Sequence, residues 1–273
     1  MNQTKLVITD LDGTLLNNQK QVSSYTVEAI QELTKKGILF GVASGRSVES
    51  ILELSRQWRI RDALSFVIGM NGGVFYDVHQ NKKEEYYTID GTSVLEIIET
   101  YKDMDVYFWV LEGSTRYTNR STEWSRQNGY LYNEIEKEVD MMEFLPDRKM
   151  NKFMISCKEE DMDEMKRRAM HLNNENYVGF STASNLFEFV HPANNKGHCL
   201  KKACDHFHIG LESVVAFGDE LNDLEMLKKA GVGICVKNGL DKVKEQADFI
   251  SPYTNEEDAL AHYIYESVLK EEN

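Results

Sequence analysis

Apolar residues in this chain fall more often in short unbroken runs than in alternation. Leu6-Val7-Ile8 leads to Asp10, residues 38–43 lead to Ser44-Gly45-Arg46, and Phe66-Val67-Ile68 leads to Asn71-Gly72-Gly73. Between the runs the apolar spacing becomes helical. Val27, Ile30 and Leu33 follow a capping Ser23 or Ser24 and precede Gly37, and Ile51, Leu54, Ser55 and Trp58 share the side of a second helix. Unbroken strands separated by amphipathic helices predict a parallel sheet covered on both faces. The last third repeats this grammar. It has a helix over 195–207, a strand over 214–217 ending at Gly218-Asp219, a helix over 223–230, a strand over 232–236 and a short helix near 240–247. A final helix carries Leu260, Tyr263, Ile264 and Val268 on one face.

The middle of the chain reads differently. A helix over 94–104, a strand over 106–111, an irregular polar stretch and a strand over 153–157 come in succession. A charged helix over 161–172 and strands near 177–181 and 187–190 follow. This pattern predicts an α+β unit, residues 83–190, inserted into a doubly wound α/β core made of 1–82 and 191–273. The 273 residues suit two domains of ordinary size, and only three prolines leave little room for long linkers.

Charge narrows the function classes. Thirty-one Lys and Arg against 45 Asp and Glu leave a net charge of -14. Nucleic-acid and polybasic membrane-surface proteins need the opposite balance, so neither partner is expected. Cys157, Cys199, Cys204 and Cys235 form no CxxC pair, and neither a leader-like start nor a membrane-length apolar run is seen, which predicts a cytoplasmic protein with reduced thiols. His198, Cys199, Cys204, His206 and His208 match no zinc spacing, and a helix through them would scatter their side chains. Dinucleotide and P-loop glycine motifs are absent from the sequence.

The candidate chemistry sits at the carboxyl ends of core strands, which converge on one crevice in a doubly wound sheet. Asp10-Leu11-Asp12-Gly13-Thr14 puts two acids two residues apart, able to leave a strand on the same side, with Gly13 for the turn. Ser44-Gly45-Arg46 offers a hydroxyl and N–H groups at a helix start. Gly218-Asp219-Glu220-Leu221-Asn222-Asp223 brings further carboxylates to a strand end, and Lys196 lies 23 residues before Asp219. Calcium loops of the EF-hand type fail, because the sixth loop position, counting Asp10 or Asp219 as the first, is Leu15 or Leu224 rather than glycine.

Together these motifs resemble the haloacid dehalogenase superfamily, and within it the Cof-type phosphatases with a C2-type cap. Asp10 to Thr14 correspond to its first motif, Ser44 to the second, Lys196 to the third and the GDxxND stretch, residues 218–223, to the fourth. The short segment 15–22 leaves no room for a cap at the family's first insertion point, whereas the long insertion lies between Ser44 and Lys196. The resemblance implies that Asp10 is a nucleophile forming an aspartyl-phosphate and Asp12 a general acid and base. It implies Mg²⁺ held by the Asp10 side chain, the Asp12 carbonyl and Asp219, with Asp223 nearby. It assigns the phosphoryl oxygens to Leu11, Ser44, Gly45, Lys196 and Asn222. The chain departs from the family where the fifth core strand ends, reading Cys235-Val236-Lys237-Asn238 with Lys237 in place of a glycine.

The inserted unit is expected to choose the substrate by closing over the crevice. Eight aromatics crowd the 32 residues from Tyr101 to Tyr132, and Tyr117 and Trp124, in the polar stretch, are its ligand candidates. Arg46 either orients substrate or pairs with an acid. The expected activity is Mg²⁺-dependent hydrolysis of a small phosphorylated metabolite, with sugar phosphates the broad class, by a monomer or weak homodimer. Two other readings stay open: a phosphosugar mutase of the phosphomannomutase type, and a non-catalytic phospho-ligand sensor. Receiver domains use a similar Asp–Ser/Thr–Lys set but have no reason to keep an acid at the position of Asp12.

Overall fold

The computed structural model describes residues 3–270. Contacts divide it into Met1–Glu84 with Asn195–Asn273, and Glu85–Asn194, where the sequence reading set the insertion at 83–190.

In the first unit an eight-stranded sheet has the order Phe249–Ile250, Val232–Cys235, Val214–Gly218, Leu6–Thr9, Leu39–Ala43, Phe66–Gly69, Val74–Asp77 and Lys82–Glu85. The six strands from Phe249–Ile250 to Phe66–Gly69 pair in parallel, as their continuous apolar character requires. Leu6, Val7, Ile8, Val42, Phe66, Ile68, Ala216 and Phe217 have no measurable exposure. From Leu6–Thr9 the chain builds outward through Leu39–Ala43 on one side, and its last third builds outward through Val214–Gly218 on the other. The order therefore reverses beside Leu6–Thr9, and that reversal opens a crevice at the carboxyl ends.

Helix Ser24–Lys35 starts where Ser23 accepts a hydrogen bond from the Thr26 N–H, and helix Val48–Gln57 where Ser47 accepts from Ser50. Helix Lys196–Phe207 is capped in the same way by Asn195, whose side chain accepts from the His198 N–H. The sheet is mixed rather than wholly parallel. Val74–Asp77 runs antiparallel to Phe66–Gly69 through the Asn71-Gly72-Gly73 turn, a hairpin not foreseen from sequence. Gly72 is required there: its φ is +103°, and a Cβ would lie 2.2 Å from the Asn195 carbonyl oxygen.

The second unit is a six-stranded sheet in the order Val178–Ala183, Leu186–Val190, Lys152–Ser156, Tyr107–Glu112, Thr115–Thr118 and Ile135–Glu138. All pairs are antiparallel except the last. Alternation places Phe108, Val110, Phe153, Ile155, Phe187 and Phe189 on one face, against Val94, Ile97 and Tyr101 of helix Gly91–Tyr101 and Met165 and Ala169 of helix Met162–Leu172. The stretch read as irregular is ordered. It holds strand Thr115–Thr118, helix Glu123–Leu131, strand Ile135–Glu138 and helix Met141–Phe144. No described helix is long and apolar enough to cross a membrane.

Candidate active site

Strand Leu6–Thr9 ends one residue before Asp10, whose N–H donates to the Phe217 carbonyl of the neighbouring strand at 3.0 Å. Asp10 is thus anchored at the strand-order reversal. Gly13 turns the chain away with φ +86°, so close to Asp219 that a Cβ would sit 2.3 Å from the Asp219 Oδ2. Thr14 donates its hydroxyl to Asp219 Oδ1 at 2.6 Å, joining two motifs that are 205 residues apart. Neither the Thr14 contact nor the closeness of Gly13 has a local sequence signal; both follow from the pairing of strands Leu6–Thr9 and Val214–Gly218.

Lys196, at the first position of its helix, has no exposure and donates 2.6 Å hydrogen bonds to Asp10 Oδ1 and Asp223 Oδ1. Asp223 is equally buried, and its Oδ2 accepts from the Asp219 and Glu220 N–H groups at 3.0 Å. Burial favours the neutral form of Asp10, and the nearby Asp223 and Asp219 add to this. Lys196 opposes but does not cancel the effect, so the Asp10 carboxyl lies well above its ordinary range. Asp219 is pushed up to about 7, chiefly by burial, despite the Thr14 hydrogen bond. Burial alone would lower Lys196, but Asp10 and Asp223 outweigh it and hold the ammonium charged.

Carboxylate oxygens of Asp10, Asp219 and Asp223 lie within 4.8 Å of one another, the one such metal-competent group among the described residues. Three buried acids served by a single lysine would carry excess negative charge when ionised, and an all-oxygen donor set suits a hard divalent cation. The residues fit such an ion.

Asp12 lies in a different field. Burial disfavours its ionisation, but Arg46 and then Lys20 outweigh that and hold the carboxyl below its usual value. Arg46 grips it bidentately, Nε to Oδ2 at 2.9 Å and Nη2 to Oδ1 at 2.8 Å, and so pairs with an acid. Ser44 is buried, and its Oγ accepts from the Arg46 N–H at 3.2 Å. Asn71 joins this group although the sequence reading gave it no role. Its φ is +56°, its N–H donates to the Ser44 carbonyl, its Oδ1 accepts from Asn222 Nδ2 at 3.2 Å, and it would lie 3.1 Å from a Cβ at Gly45. An asparagine before two glycines at a strand end is the signal that could have found it, since asparagine tolerates the left-handed region.

Leu11 is fully buried, and its carbonyl accepts from the Leu15 and Leu16 N–H groups, closing the turn. Lys237 does not enter the site: its backbone N–H donates to the Tyr253 carbonyl, and its side chain is 57% exposed. Asn238 donates from Nδ2 to the Gly13 carbonyl at 2.7 Å, so the loop still braces the first motif. In the second unit Trp124 is 54% exposed, whereas Tyr117 is half-buried against the apolar core, its ring centre 4.5 Å from that of Phe144 with the planes tilted by 30°. Tyr117 pairs across the strands with Val110, and the more buried positions of its strand are Arg116 and Thr118. His206 binds Asp77 and Cys199 and Cys204 are buried, apart from the acidic cluster.

A core of this topology with acids at its reversal defines a class that the comparisons make specific. The family profile described as haloacid dehalogenase-like hydrolase matches residues 7–264. The chain is 29% identical over 265 residues to the 5-amino-6-(5-phospho-D-ribitylamino)uracil phosphatase YcsE of Bacillus subtilis (strain 168), covering 97% of this chain and 96% of that one. The crystal structure of a haloacid dehalogenase-like hydrolase from Bacteroides thetaiotaomicron superposes with a TM-score of 0.86 at 25% identity, over 96% of this chain and 98% of that one. The subclass IIB sugar phosphatase BT4131 shares the fold at a TM-score of 0.80 and 20% identity, over 96% of this chain and 98% of that one. The chain belongs to the haloacid dehalogenase-like hydrolase family. It is a phosphoric monoester hydrolase acting on small phosphate substrates.

Proposed function

We propose that the protein hydrolyses sugar or polyol phosphates through an aspartyl-phosphate on Asp10, with Mg²⁺ as its cation. The observation that carries this reading is the 2.6 Å bond from buried Lys196 to Asp10 Oδ1, which fixes one oxygen of a carboxylate at the strand-order reversal. Oδ2 is then the atom that attacks phosphorus, forming the Asp10 O–P bond as the ester P–O bond breaks. Asp12 gives a proton to the departing alkoxide oxygen. In the second half Asp12 takes a proton from water, whose oxygen bonds to phosphorus as the Asp10 O–P bond breaks and inorganic phosphate leaves. Pairing with Arg46 and Lys20 favours the charged form of Asp12 and so suits this second half; the first half requires the pairing to loosen.

Lys196, the Ser44 hydroxyl, Asn222 and the Leu11 and Gly45 N–H groups bind the phosphoryl oxygens and hold the group in line. Asp10, the Asp12 carbonyl and Asp219 would hold the divalent ion, with Asp223 beside them, and the ion would supply charge neutralisation between carboxylates and phosphate. Unit 85–194 selects the leaving group, with exposed Trp124 a surface on which a sugar face can stack. Support for a polyol phosphate comes from the phosphorylated ribityl chain in the substrate named for YcsE. We place the protein in the cytoplasm, as a monomer or weak homodimer.

The test is phosphate release from a panel of sugar phosphates, the phosphoribitylaminouracil, nucleotides, pyridoxal phosphate and flavin mononucleotide, with Mg²⁺ and with EDTA. Mg²⁺-dependent release abolished by Asp10→Asn is expected. Full turnover by that variant would refute the covalent scheme, and phosphoryl return to sugar without release would make the protein a mutase.

A further inference from the structure

Asp12 receives two cations, not one. Beside the Arg46 pair, Lys20 Nζ lies 2.7 Å from Asp12 Oδ1. The lysine comes from a tight turn after the first motif. There the Asn17 N–H donates to the Gln21 carbonyl, the Lys20 N–H donates to the Asn17 carbonyl, and Asn17 Oδ1 accepts from the Gln19 and Gln21 N–H groups. Lys20 adopts φ +58°, a left-handed conformation that lysine disfavours and that persists only where its surroundings hold it.

The turn's own hydrogen bonds are joined by one from outside it, from Trp58, a buried residue that ends helix Val48–Gln57. Its indole Nε1–H donates to the Lys20 carbonyl at 3.0 Å, and the Arg46 guanidinium carbon lies 5.8 Å from the centre of its ring. One indole thus pins the turn that presents Lys20 and borders the guanidinium that grips the same carboxylate. An exposed ion pair by itself contributes little, and the Lys20 side chain is 61% exposed. The Lys20–Asp12 pair therefore adds little to stability, although the turn and a buried indole hold the lysine where it meets this acid.

We propose that Lys20, anchored through its carbonyl by Trp58, is a positioning residue for Asp12, setting with Arg46 the place from which that carboxyl serves the leaving group. The inference rests on the reading of Asp12 as the general acid and base. Its consequence depends on the leaving group. An alkoxide needs a proton to depart, whereas p-nitrophenolate leaves readily without one, so misplacing Asp12 should penalise alkyl esters selectively.

The experiment measures kcat and KM of the Mg²⁺-loaded full chain on p-nitrophenyl phosphate and on the fastest sugar phosphate of the panel, with thermal melting to report folding separately. Lys20→Met should lower kcat on the sugar phosphate about tenfold with KM little changed, and lower it far less on the aryl ester. Lys20→Arg should restore most of the loss. Trp58→Phe, which keeps a ring and removes the N–H, should shift the ratio of the two rates in the same direction as Lys20→Met. Equal losses on both esters, or no loss, would overturn the proposal. Asp12→Asn separates the two levels. If it shows no leaving-group selectivity, the acid–base reading itself fails; if it is selective and the Lys20 and Trp58 variants are not, only the positioning role fails.

Discussion

Replacing Lys196 by methionine removes the one ammonium shared by Asp10 and Asp223 and keeps a side chain of similar length. Both bonds are 2.6 Å, and neither Lys196 nor Asp223 has measurable exposure, so solvent cannot take the lysine's place. Breaking a buried pair by removing one partner costs about 3–5 kcal/mol, because the remaining charge is stranded. At roughly 2–4 °C per kcal/mol for a chain of this size, melting should fall by about 6–20 °C in EDTA at pH 8. The loss depends on pH, with a definite sign. The Asp10 and Asp219 carboxyls are raised in the folded protein, Asp219 to about 7, so the metal-free fold keeps protons that the unfolded chain releases above about pH 4. Folding then takes up protons, and stability declines as pH rises from about 4 toward 7. Without Lys196 the acids are raised further, so the gap between wild type and variant widens from pH 5 to pH 8. Urea or thermal unfolding at both pH values, in EDTA, measures it. A gap below about 1 kcal/mol at pH 8, or one that narrows with rising pH, would refute the argument that Lys196 neutralises the cluster.

Gly13→Ala forces a Cβ to 2.3 Å from Asp219 Oδ2 at φ +86° and should cost at least about 1 kcal/mol and about a hundredfold in turnover, read by denaturation and phosphate release. Saturating Mg²⁺ at a hundred times its dissociation constant should stabilise EDTA-treated protein by about 2.7 kcal/mol, and Asp219→Asn should abolish most of that shift in a melting assay. Asp77 accepts from the His79 and Gln80 N–H groups at 2.8 Å and pairs with His206, outside the acidic cluster. Asp77→Ala should cost about 1–3 kcal/mol in urea titration. Burial opposes ionisation of Asp77, but its hydrogen bonds hold the carboxyl below its ordinary value, so its contribution is present above about pH 4 and fades on acidification through that lowered value.

The core strands and the acids at their ends were legible in the chain alone, because a strand buried on both faces must be apolar throughout and the change to Asp, Ser or Gly marks where it emerges. Motif spacing and family resemblance marked Asp10, Asp12, Ser44, Lys196 and Asp219 as candidates for one site. The pattern failed where residues are exposed: strand Ile135–Glu138 carries no apolar run or alternation to read. The hairpin strand Val74–Asp77 hid behind a glycine pair that looked like a terminus. The contact partners came from the packed fold. Thr14 meets Asp219, Asn71 meets Asn222, and Trp58 reaches Lys20 because strand pairing and helix packing bring distant segments together. The same assembly decided the protonation of the acids. Asp10 and Asp12 are two residues apart, yet one is held toward its neutral form by burial among carboxylates and the other toward its charged form by Arg46 and Lys20. Local sequence assigns them the same chemistry; the field of the folded chain makes them different groups.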